Sequence, residues 1–331
     1  MTGLALLPDP ISPLSRETAR AAFADILDGR ASEAAIGAFL VALSDRGETS
    51  LEIAEAARSL RERLIPIDAP PGAIDVCGTG GDGHHTLNVS TAVALVVAAA
   101  GVPVAKHGNR AASSKAGAAD TLEALGLDMD RAGASAEASL RDLGICFLFA
   151  ANHHPAMKRI QPIRQRLGRR TIFNLMGPLA NPAHVTRQLL GIARPDYATL
   201  YAEALAQLGT EAALVVSGKE AIDELSCAGP SKVVAVGGVT LHATVTPEDA
   251  GLPRHPISAI RGGDSAANAA ALRALLGGAK GAYRDAVLLN AAAALLVAGQ
   301  ASGLRAGAAV AAEALDGGAA ARLLDAWIAY P

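Results

Sequence analysis

The segment DVCGTGGDGHHTLNVST, residues 75–91, clusters glycines with acids, histidines and hydroxyls between two apolar runs. A glycine cluster usually marks a turn that another backbone or a ligand approaches closely, because glycine weakens helices and strands. The segment follows a predicted strand and leads into a predicted helix that begins near Ser90 and Thr91. Exposed backbone N–H groups, two hydroxyls and the positive end of a helix dipole suit a phosphate.

The glycine spacing matches neither a dinucleotide-binding fingerprint nor a Walker loop. The alternative interpretation is a tight strand-to-helix turn that binds nothing. Asp82 and the N-x-S-T pattern at 88–91 favour a ligand that carries both phosphates and ribose hydroxyls.

A second polar segment, KHGNRAASSK at 106–115, begins directly after the apolar run VPVA. A charged run of this kind is usually a solvated surface turn. The carboxyl ends of neighbouring parallel strands meet at one edge of a sheet, however, so this segment is expected to face the glycine-rich one. Two anion-binding loops side by side predict a polyanionic ligand.

Two adjacent carboxylates, Asp223 and Glu224, follow the apolar run AALVV. Adjacent acids in a loop are commonly only solvated. Opposite a phosphate pocket they would supply hard oxygen ligands for Mg2+, which often bridges protein carboxylates and substrate phosphates.

The elements that must position these loops begin with helices. Ser15, Ser32 and the Thr49–Glu52 capping box each predict the start of an amphipathic helix. Three prolines in PIDAPPG, 66–72, mark a domain boundary, and short apolar strands then alternate with helices. That alternation is typical of a mostly parallel sheet covered on both faces.

The predicted architecture is therefore an α/β fold with a small all-helical domain and a large domain that has a mostly parallel central sheet flanked by helices. The helical domain is expected to span 1–70, with a helical contribution from a basic insert at about 152–182. The α/β domain is expected to comprise 71–151 and 183–331.

Composition excludes several classes of protein. A formal net charge of −3 with 3% aromatic residues gives neither a basic footprint for nucleic acid nor a stacking platform for single strands. Three scattered cysteines fit a reducing cytosol, and the N-terminus lacks the features of a signal peptide. The uncharged stretches 86–105 and 286–304 contain polar interruptions and are expected to be buried helices, not membrane spans. A cytoplasmic protein without nucleic-acid or membrane partners is expected.

In six signatures, present in family order, the chain resembles the anthranilate phosphoribosyltransferases of tryptophan biosynthesis. The signatures are GTGGD (78–82), NxST (88–91), KHGNR (106–110), RRTIFNLMGPLANP (169–182), DELS (223–226) and VLLNAAAAL (287–295). The resemblance implies a homodimer that binds phosphoribosyl pyrophosphate (PRPP) and two Mg2+ ions per subunit. The implied reaction moves the 5-phosphoribosyl group from PRPP to the amine of anthranilate and releases pyrophosphate.

The resemblance also assigns site residues position by position. Those implied for PRPP are Gly78, Gly81, Asp82, Thr86, Asn88, Val89, Ser90, Thr91, Lys106, Ser114 and Ala118. Those implied for Mg2+ are Ser90, Asp223 and Glu224. Those implied for anthranilate are Gly78, His107, Asn109, Arg164 and Pro178. The chain departs from the family pattern at Ala116 and Ala118, where serines are common, and in the pair His84–His85.

The implied chemistry requires no catalytic acid or base, since the aromatic amine is neutral at pH 7 and pyrophosphate leaves readily once its charge is neutralised. His107 and His154 are interpreted as possible wall residues. In the basic insert only Arg164 is assigned to the substrate carboxylate, and most of its basic neighbours are interpreted as a solvated helix face.

Two rival functions stay open at this point. A pyrimidine nucleoside phosphorylase would use inorganic phosphate and would not need the acids Asp223 and Glu224. A non-catalytic relative that binds nucleic acid would be basic and would have lost GTGGD, and neither property holds here.

Overall fold

The computed structural model describes residues 4–110 and 115–331. Its α-helices are α1 Arg16–Leu27, α2 Glu33–Arg46, α3 Ser50–Arg61, α4 Val89–Ala99, α5 Ala118–Ala124, α6 Met129–Ala134, α7 Ala136–Leu143, α8 Ala150–His153, α9 Met157–Leu167, α10 Ala198–Gln207, α11 Ser265–Leu276, α12 Ala282–Val297, α13 Leu304–Asp316 and α14 Ala319–Ile328. Its strands are β1 Ile74–Gly78, β2 Val104–Gly108, β3 Ile145–Phe149, β4 Arg187–Gly191, β5 Ala212–Gly218, β6 Ser231–Gly237 and β7 Thr244–Val245.

The three N-terminal helices begin at the predicted caps. The side-chain oxygens of Ser15 and Ser32 each accept a hydrogen bond from the backbone N–H three residues later. Thr49 and Glu52 form the reciprocal capping box, with the Thr49 N–H donating to Oε2 of Glu52 at 2.8 Å. These contacts satisfy N–H groups that have no partner inside the helix.

The seven strands form one sheet in the order β3-β2-β1-β4-β5-β6-β7. The pairs from β3 to β5 are parallel, and β6 and β7 join the edge antiparallel. The mostly parallel sheet predicted from the sequence is confirmed. Its parallel strands all end at the same edge, which brings their following loops together.

Each face of the sheet carries its own apolar core. Successive side chains of a strand point to opposite faces, so Leu189 packs in the core with α4 and α12, whereas Leu190 packs in the core with α1, α2, α3 and α10. Phe23 of α1 and the fully buried Tyr201 of α10 belong to that second cluster together with Leu190 and Val215. The helical bundle therefore shares a core with β4, β5 and β6 on one face of the sheet, and a smaller separate cluster covers β2 and β3.

The two uncharged stretches lie inside the protein. Residues 86–105 contain α4, whose side chains are almost all buried, and 286–304 contain most of α12. Among the described residues, no helix combines the length and apolar character that crossing a membrane requires. The domain boundaries at 70–71, 151–152 and 182–183 stay predictions.

Candidate active site

Two glycines at strand ends allow the loop after β5 to reach the loop after β1. Gly78 and Gly191 are register partners at the ends of β1 and β4. A Cβ on Gly191 would overlap the backbone carbonyl of Asp223, and a Cβ on Gly78 would overlap its carboxylate. Asp223 therefore crosses the end of β4, and its Oδ2 accepts a hydrogen bond of 2.7 Å from the Gly80 N–H.

Residues 79–88, the glycine loop, present backbone donors. Gly80, Gly81 and Gly83 have φ of 67°, 73° and 77°, in the left-handed region that favours glycine. Within the described residues, the N–H groups of Gly81, Asp82 and Gly83 donate to no protein acceptor. Three successive N–H groups are thus available to an anion.

Side chains from two other segments hold the glycine loop. The Arg170 guanidinium donates through Nη2 to the Gly81 carbonyl at 2.7 Å. The His84 ring pairs through Nε2 with the Glu220 carbonyl at 2.6 Å. The Arg170 side chain is exposed and is also bonded to the loop, a contact that the sequence did not predict.

Lys106 is the central residue of β2, and its side chain reaches β1 and the first turn of α4. Its ammonium is almost fully buried and donates to the Val76 carbonyl at 2.7 Å and to Oγ of Ser90 at 3.2 Å. Burial lowers the pKa of Lys106, and the negative charge of Asp75 opposes that shift. The structure therefore brings Lys106 and Ser90, both predicted PRPP residues, into contact.

The acidic pair lies beside a third acid, Asp82. The pKa of Asp223 is raised to about 6, mainly by burial and to a smaller extent by the negative charge of Asp82. The pKa of Glu224 is raised well above its usual range, mainly by burial and to a smaller extent by the negative charge of Asp223. For Glu224, burial and the charge of Asp223 thus outweigh the opposing positive charge of Lys106. In the part of the chain that the structure describes, no three His, Cys, Asp or Glu side chains are arranged to hold a metal ion by themselves.

The acidic loop is fixed from below by Asn290 of α12. Its side-chain oxygen accepts from the Leu225 N–H at 2.9 Å, and its amide nitrogen donates to the carbonyls of Leu225 and Ala286 at 3.0 and 2.9 Å. Asn290 is fully buried, and a buried amide is tolerated only when it is paired in this way. This explains the asparagine in the VLLNAAAAL signature.

His107 and His154 form a buried pair with both rings neutral. Nδ1 of His107 pairs with the Gly177 carbonyl at 2.9 Å, and the two Nε2 atoms are 3.2 Å apart. A carbonyl only accepts, so His107 carries its proton on Nδ1 and His154 donates to it through Nε2. Burial lowers the pKa of His107 to about 3 and that of His154 to about 4.

A buried network joins this pair to the turn that contains Pro178. The Asp75 carboxylate accepts from the His107 N–H at 3.2 Å and from the Asn181 amide at 2.8 Å. The Gln188 amide donates to the Pro178 carbonyl at 2.7 Å. His107 and Pro178, both predicted for anthranilate, are therefore held in one wall.

Arg164 differs from its basic neighbours on α9. Arg159 donates to the Asp28 carbonyl at 2.8 Å, and Arg166 pairs with Glu33 at 2.5 Å, so both contact the helical bundle. Arg164 is half-buried, its pKa is lowered by burial, and it has no ion-pair partner within residues 4–110 and 115–331.

Asn88 and its neighbours begin α4. The side-chain oxygen of Asn88 accepts from the Thr121 hydroxyl at 2.6 Å and from the Asn268 amide at 2.9 Å. The Val89 side chain is in the core, and the buried Thr91 hydroxyl has no partner in the described part of the chain.

The remaining predicted residues lie at the margins of this cluster. Thr86 bridges to Arg261, Asn109 is exposed, and Ala118 is the first residue of α5. Ser114 lies outside the described residues. In those residues no hydrogen bond links Asn109 or Arg164 to the glycine loop, and their ligand contacts stay predictions.

Comparison with known proteins places this geometry in a family. Residues 70–321 match the model of the α/β domain of a glycosyl transferase family, and residues 10–64 match its helical bundle domain. The anthranilate phosphoribosyltransferase of Novosphingobium aromaticivorans is 66% identical over 328 residues, which is 98% of this chain and 99% of that protein. That of Sphingopyxis alaskensis is 66% identical over 325 residues, 98% of each chain.

Solved structures are similar along almost the whole chain. The crystal structure of the anthranilate phosphoribosyltransferase from Thermus thermophilus has a TM-score of 0.90 at 45% identity, over 96% of both chains. The Saccharomyces cerevisiae enzyme in complex with PRPP and Mg has a TM-score of 0.86 at 29% identity, over 96% of this chain and 93% of that one.

Proposed function

The chain belongs to the anthranilate phosphoribosyltransferase family, and we propose that its loops at the carboxyl edge of the sheet bind PRPP and Mg2+, with anthranilate beside them. The reaction transfers the 5-phosphoribosyl group of PRPP to the amine of anthranilate and releases pyrophosphate. It is a step of tryptophan biosynthesis.

One observation carries the placement of the substrates, namely the hydrogen bond between Gly80 and Asp223. It sets the acidic loop against the free N–H groups of the glycine loop, above the buried ammonium of Lys106. Anion donors and hard oxygen acceptors in one place suit a phosphorylated ligand that carries metal ions.

The proposed PRPP site uses the end of β1, the glycine loop, the first turn of α4, the middle of β2 and positions 114 and 118. Its residues are Gly78, Gly81, Asp82, Thr86, Asn88, Val89, Ser90, Thr91, Lys106, Ser114 and Ala118. The buried Val89 side chain leaves only its backbone to contact a ligand. The Thr91 hydroxyl, buried without a partner in the described residues, can accept or donate one further hydrogen bond.

Asp223 and Glu224 fit Mg2+, because they are adjacent carboxylates with a third acid, Asp82, nearby. Burial raises the pKa of both, and the negative charge of the neighbouring acids, which a divalent cation would balance, adds to that shift. We assign them, with Ser90, to two ions per subunit. Mg2+ is usually held by one or two carboxylates together with substrate phosphates and water. When bound, it would neutralise charge on the departing pyrophosphate.

The residues of the chain act by position and electrostatics. As the bond from the ribose carbon to pyrophosphate breaks, the glycine-loop N–H groups and Lys106 stabilise the negative charge that collects on the leaving group. The neutral amine of anthranilate forms the new bond to that carbon and then loses a proton to solvent. His107 is paired at both ring nitrogens and has a pKa of about 3, so it serves as wall and not as base.

The proposed anthranilate site lies between Gly78, the His107–Pro178 wall, Asn109 and Arg164. The Arg164 guanidinium has no ion-pair partner in residues 4–110 and 115–331, and it can grip the substrate carboxylate through two parallel hydrogen bonds.

The decisive assay is the loss of anthranilate fluorescence with PRPP and Mg2+, against a control without PRPP. The rival function is tested in the same preparation with a pyrimidine nucleoside and inorganic phosphate. Turnover in the second assay and none in the first would overturn the proposal. Isothermal titration with Mg2+ in the presence of PRPP would count the ions per subunit.

We also propose a cytoplasmic homodimer, as the family resemblance implies. Light scattering of the purified protein would give the mass of the particle, and a monomeric mass at assay concentrations would contradict the dimer. Cell fractionation would test the location.

A further inference from the structure

We propose that Arg170 is a positioning residue for PRPP, acting through the backbone of the glycine loop. The inference rests on the proposed binding of PRPP by this loop. Arg170 lies outside the residues assigned to either substrate, and its Nη2 donates to the Gly81 carbonyl at 2.7 Å.

The peptide unit between Gly81 and Asp82 links the arginine to a proposed ligand donor. The carbonyl of Gly81 and the N–H of Asp82 belong to the same planar trans unit, so they point in opposite directions. Fixing the carbonyl toward Arg170 therefore fixes the Asp82 N–H on the opposite side. That N–H is one of the three that donate to no protein acceptor in the described residues.

The contact with Arg170 matters because the backbone of the glycine loop can adopt several conformations. Gly80 and Gly81 both adopt positive φ. Because neither residue has a Cβ, their side chains do not restrict rotation of the peptide unit that joins Gly81 to Asp82. Without an external contact the unit can rotate at little cost. A guanidinium hydrogen bond holds it in one orientation before the ligand arrives, which lowers the cost of binding.

Arg170 also differs from the arginine beside it. Arg169 pairs with Asp45 of α2, in the helical bundle. Arg170 instead reaches the glycine loop of the α/β part, and it has no ion-pair partner in the described portion of the chain. Arg169 is thus a matched control of the same type, one position away and with a similarly exposed side chain.

The experiment compares Arg170→Ala, Arg170→Lys and Arg169→Ala in the full chain by steady-state kinetics. In Arg170→Ala we expect the PRPP KM to rise about tenfold, the scale of one charged hydrogen bond, with the anthranilate KM within about twofold and Tm little changed. Lysine keeps a donor of similar reach and should restore most of the affinity. Arg169→Ala should behave as wild type.

Several outcomes would overturn the inference: an unchanged PRPP KM, an equal rise of both KM values, or the same loss in Arg169→Ala. Ser90→Ala and Lys106→Ala distinguish failure of the Arg170 inference from failure of the proposed PRPP site. If they raise the PRPP KM and Arg170→Ala does not, only this inference fails, and if none of the three does, the PRPP site itself is misplaced.

Discussion

The N–H of Gly80 donates to the carboxylate of Asp223 at 2.7 Å across 143 residues of sequence. This contact joins the loop after β1 to the loop after β5, although β4 lies between those strands. It is possible because Gly78 and Gly191 leave room for Asp223 at the ends of their strands. The loop that carries the proposed metal ligands and the loop that carries the proposed phosphate donors are therefore joined by a direct hydrogen bond.

Replacing both acids, Asp223→Ala with Glu224→Ala, should remove turnover and leave the fold intact. The double substitution removes two proposed metal ligands. Burial, the main cause of the raised pKa of both carboxyls, makes the charged pair costly to keep, which offsets the lost hydrogen bond from the Gly80 N–H to Asp223. Steady-state assays at saturating Mg2+ and thermal melts would measure the two effects. Normal turnover would contradict the assignment of Asp223 and Glu224 as Mg2+ ligands. A lower Tm with residual activity would indicate a structural role.

Ser90→Ala and Lys106→Ala should each raise the PRPP KM and leave the anthranilate KM nearly unchanged. The two side chains contact each other at 3.2 Å below the glycine loop, where their polar atoms suit phosphate oxygens. Loss of a charged partner should cost Lys106→Ala about tenfold or more in kcat/KM for PRPP. A rise in the anthranilate KM alone would mean that the two substrate sites are assigned in reverse.

Arg164→Ala should lower kcat/KM by about tenfold to a hundredfold, through a higher anthranilate KM. Hydrogen bonds to charged groups contribute roughly 1.5–3 kcal/mol, which corresponds to that range. Arg166→Ala is the matched control on the same helix, since Arg166 pairs with Glu33 at the surface. Similar losses at both positions would indicate a general electrostatic effect and no specific contact.

The pH dependence of stability should reveal Asp223. Its pKa is raised to about 6, so between about pH 4 and pH 6 the folded state binds more protons than the unfolded state. Its contribution to stability is therefore present at low pH and is lost as the pH rises through this window. In Mg2+-free buffer, the Tm of Asp223→Asn should increase relative to wild type as pH rises from about 4 to about 7. A constant difference across that range would contradict the shifted pKa.

Gly191→Ala should disable the site from a position that bears no functional group. The added Cβ would overlap the Asp223 carbonyl, so the acidic loop must move away from the glycine loop. We expect a large loss of kcat and a weaker response to Mg2+. Gly209→Ala provides a control for the preparation, because nothing lies near a Cβ there, although its φ of 82° is strained. Unimpaired turnover in Gly191→Ala would show that the loop does not need this approach.

The helices and strands could be predicted because their signals are local. Ser15, Ser32 and Thr49 cap helices through contacts that span three residues, and apolar runs such as AALVV form buried strands wherever they pair. The strand ends then placed Lys106 and Asp223 at one edge of the sheet, as the sequence analysis expected.

The parts that could not be predicted depend on contacts between distant segments. Arg170 has the same local sequence context as Arg169, yet only Arg170 reaches Gly81. In the sequence, nothing distinguishes Gly191 from other strand residues. Its need for glycine becomes clear only from the structure, where the Asp223 backbone occupies the place of a Cβ. Asn290 lies in a motif that the sequence analysis recognised, but its role in holding Leu225 appears only when α12 packs under the acidic loop.

The core shared by the helical bundle and the sheet has a consequence for synthesis on the ribosome. The bundle helices α1, α2 and α3 emerge first, but Leu190, Tyr201 and Val215 complete their apolar cluster and belong to elements that follow by roughly 130 to 150 residues. At roughly 5–20 residues per second, about 6 to 30 seconds pass between synthesis of the bundle helices and synthesis of those partners. During that interval the apolar faces of the bundle helices stay exposed on the nascent chain, where chaperones can bind them. The core can therefore form only after the later segments have been synthesised.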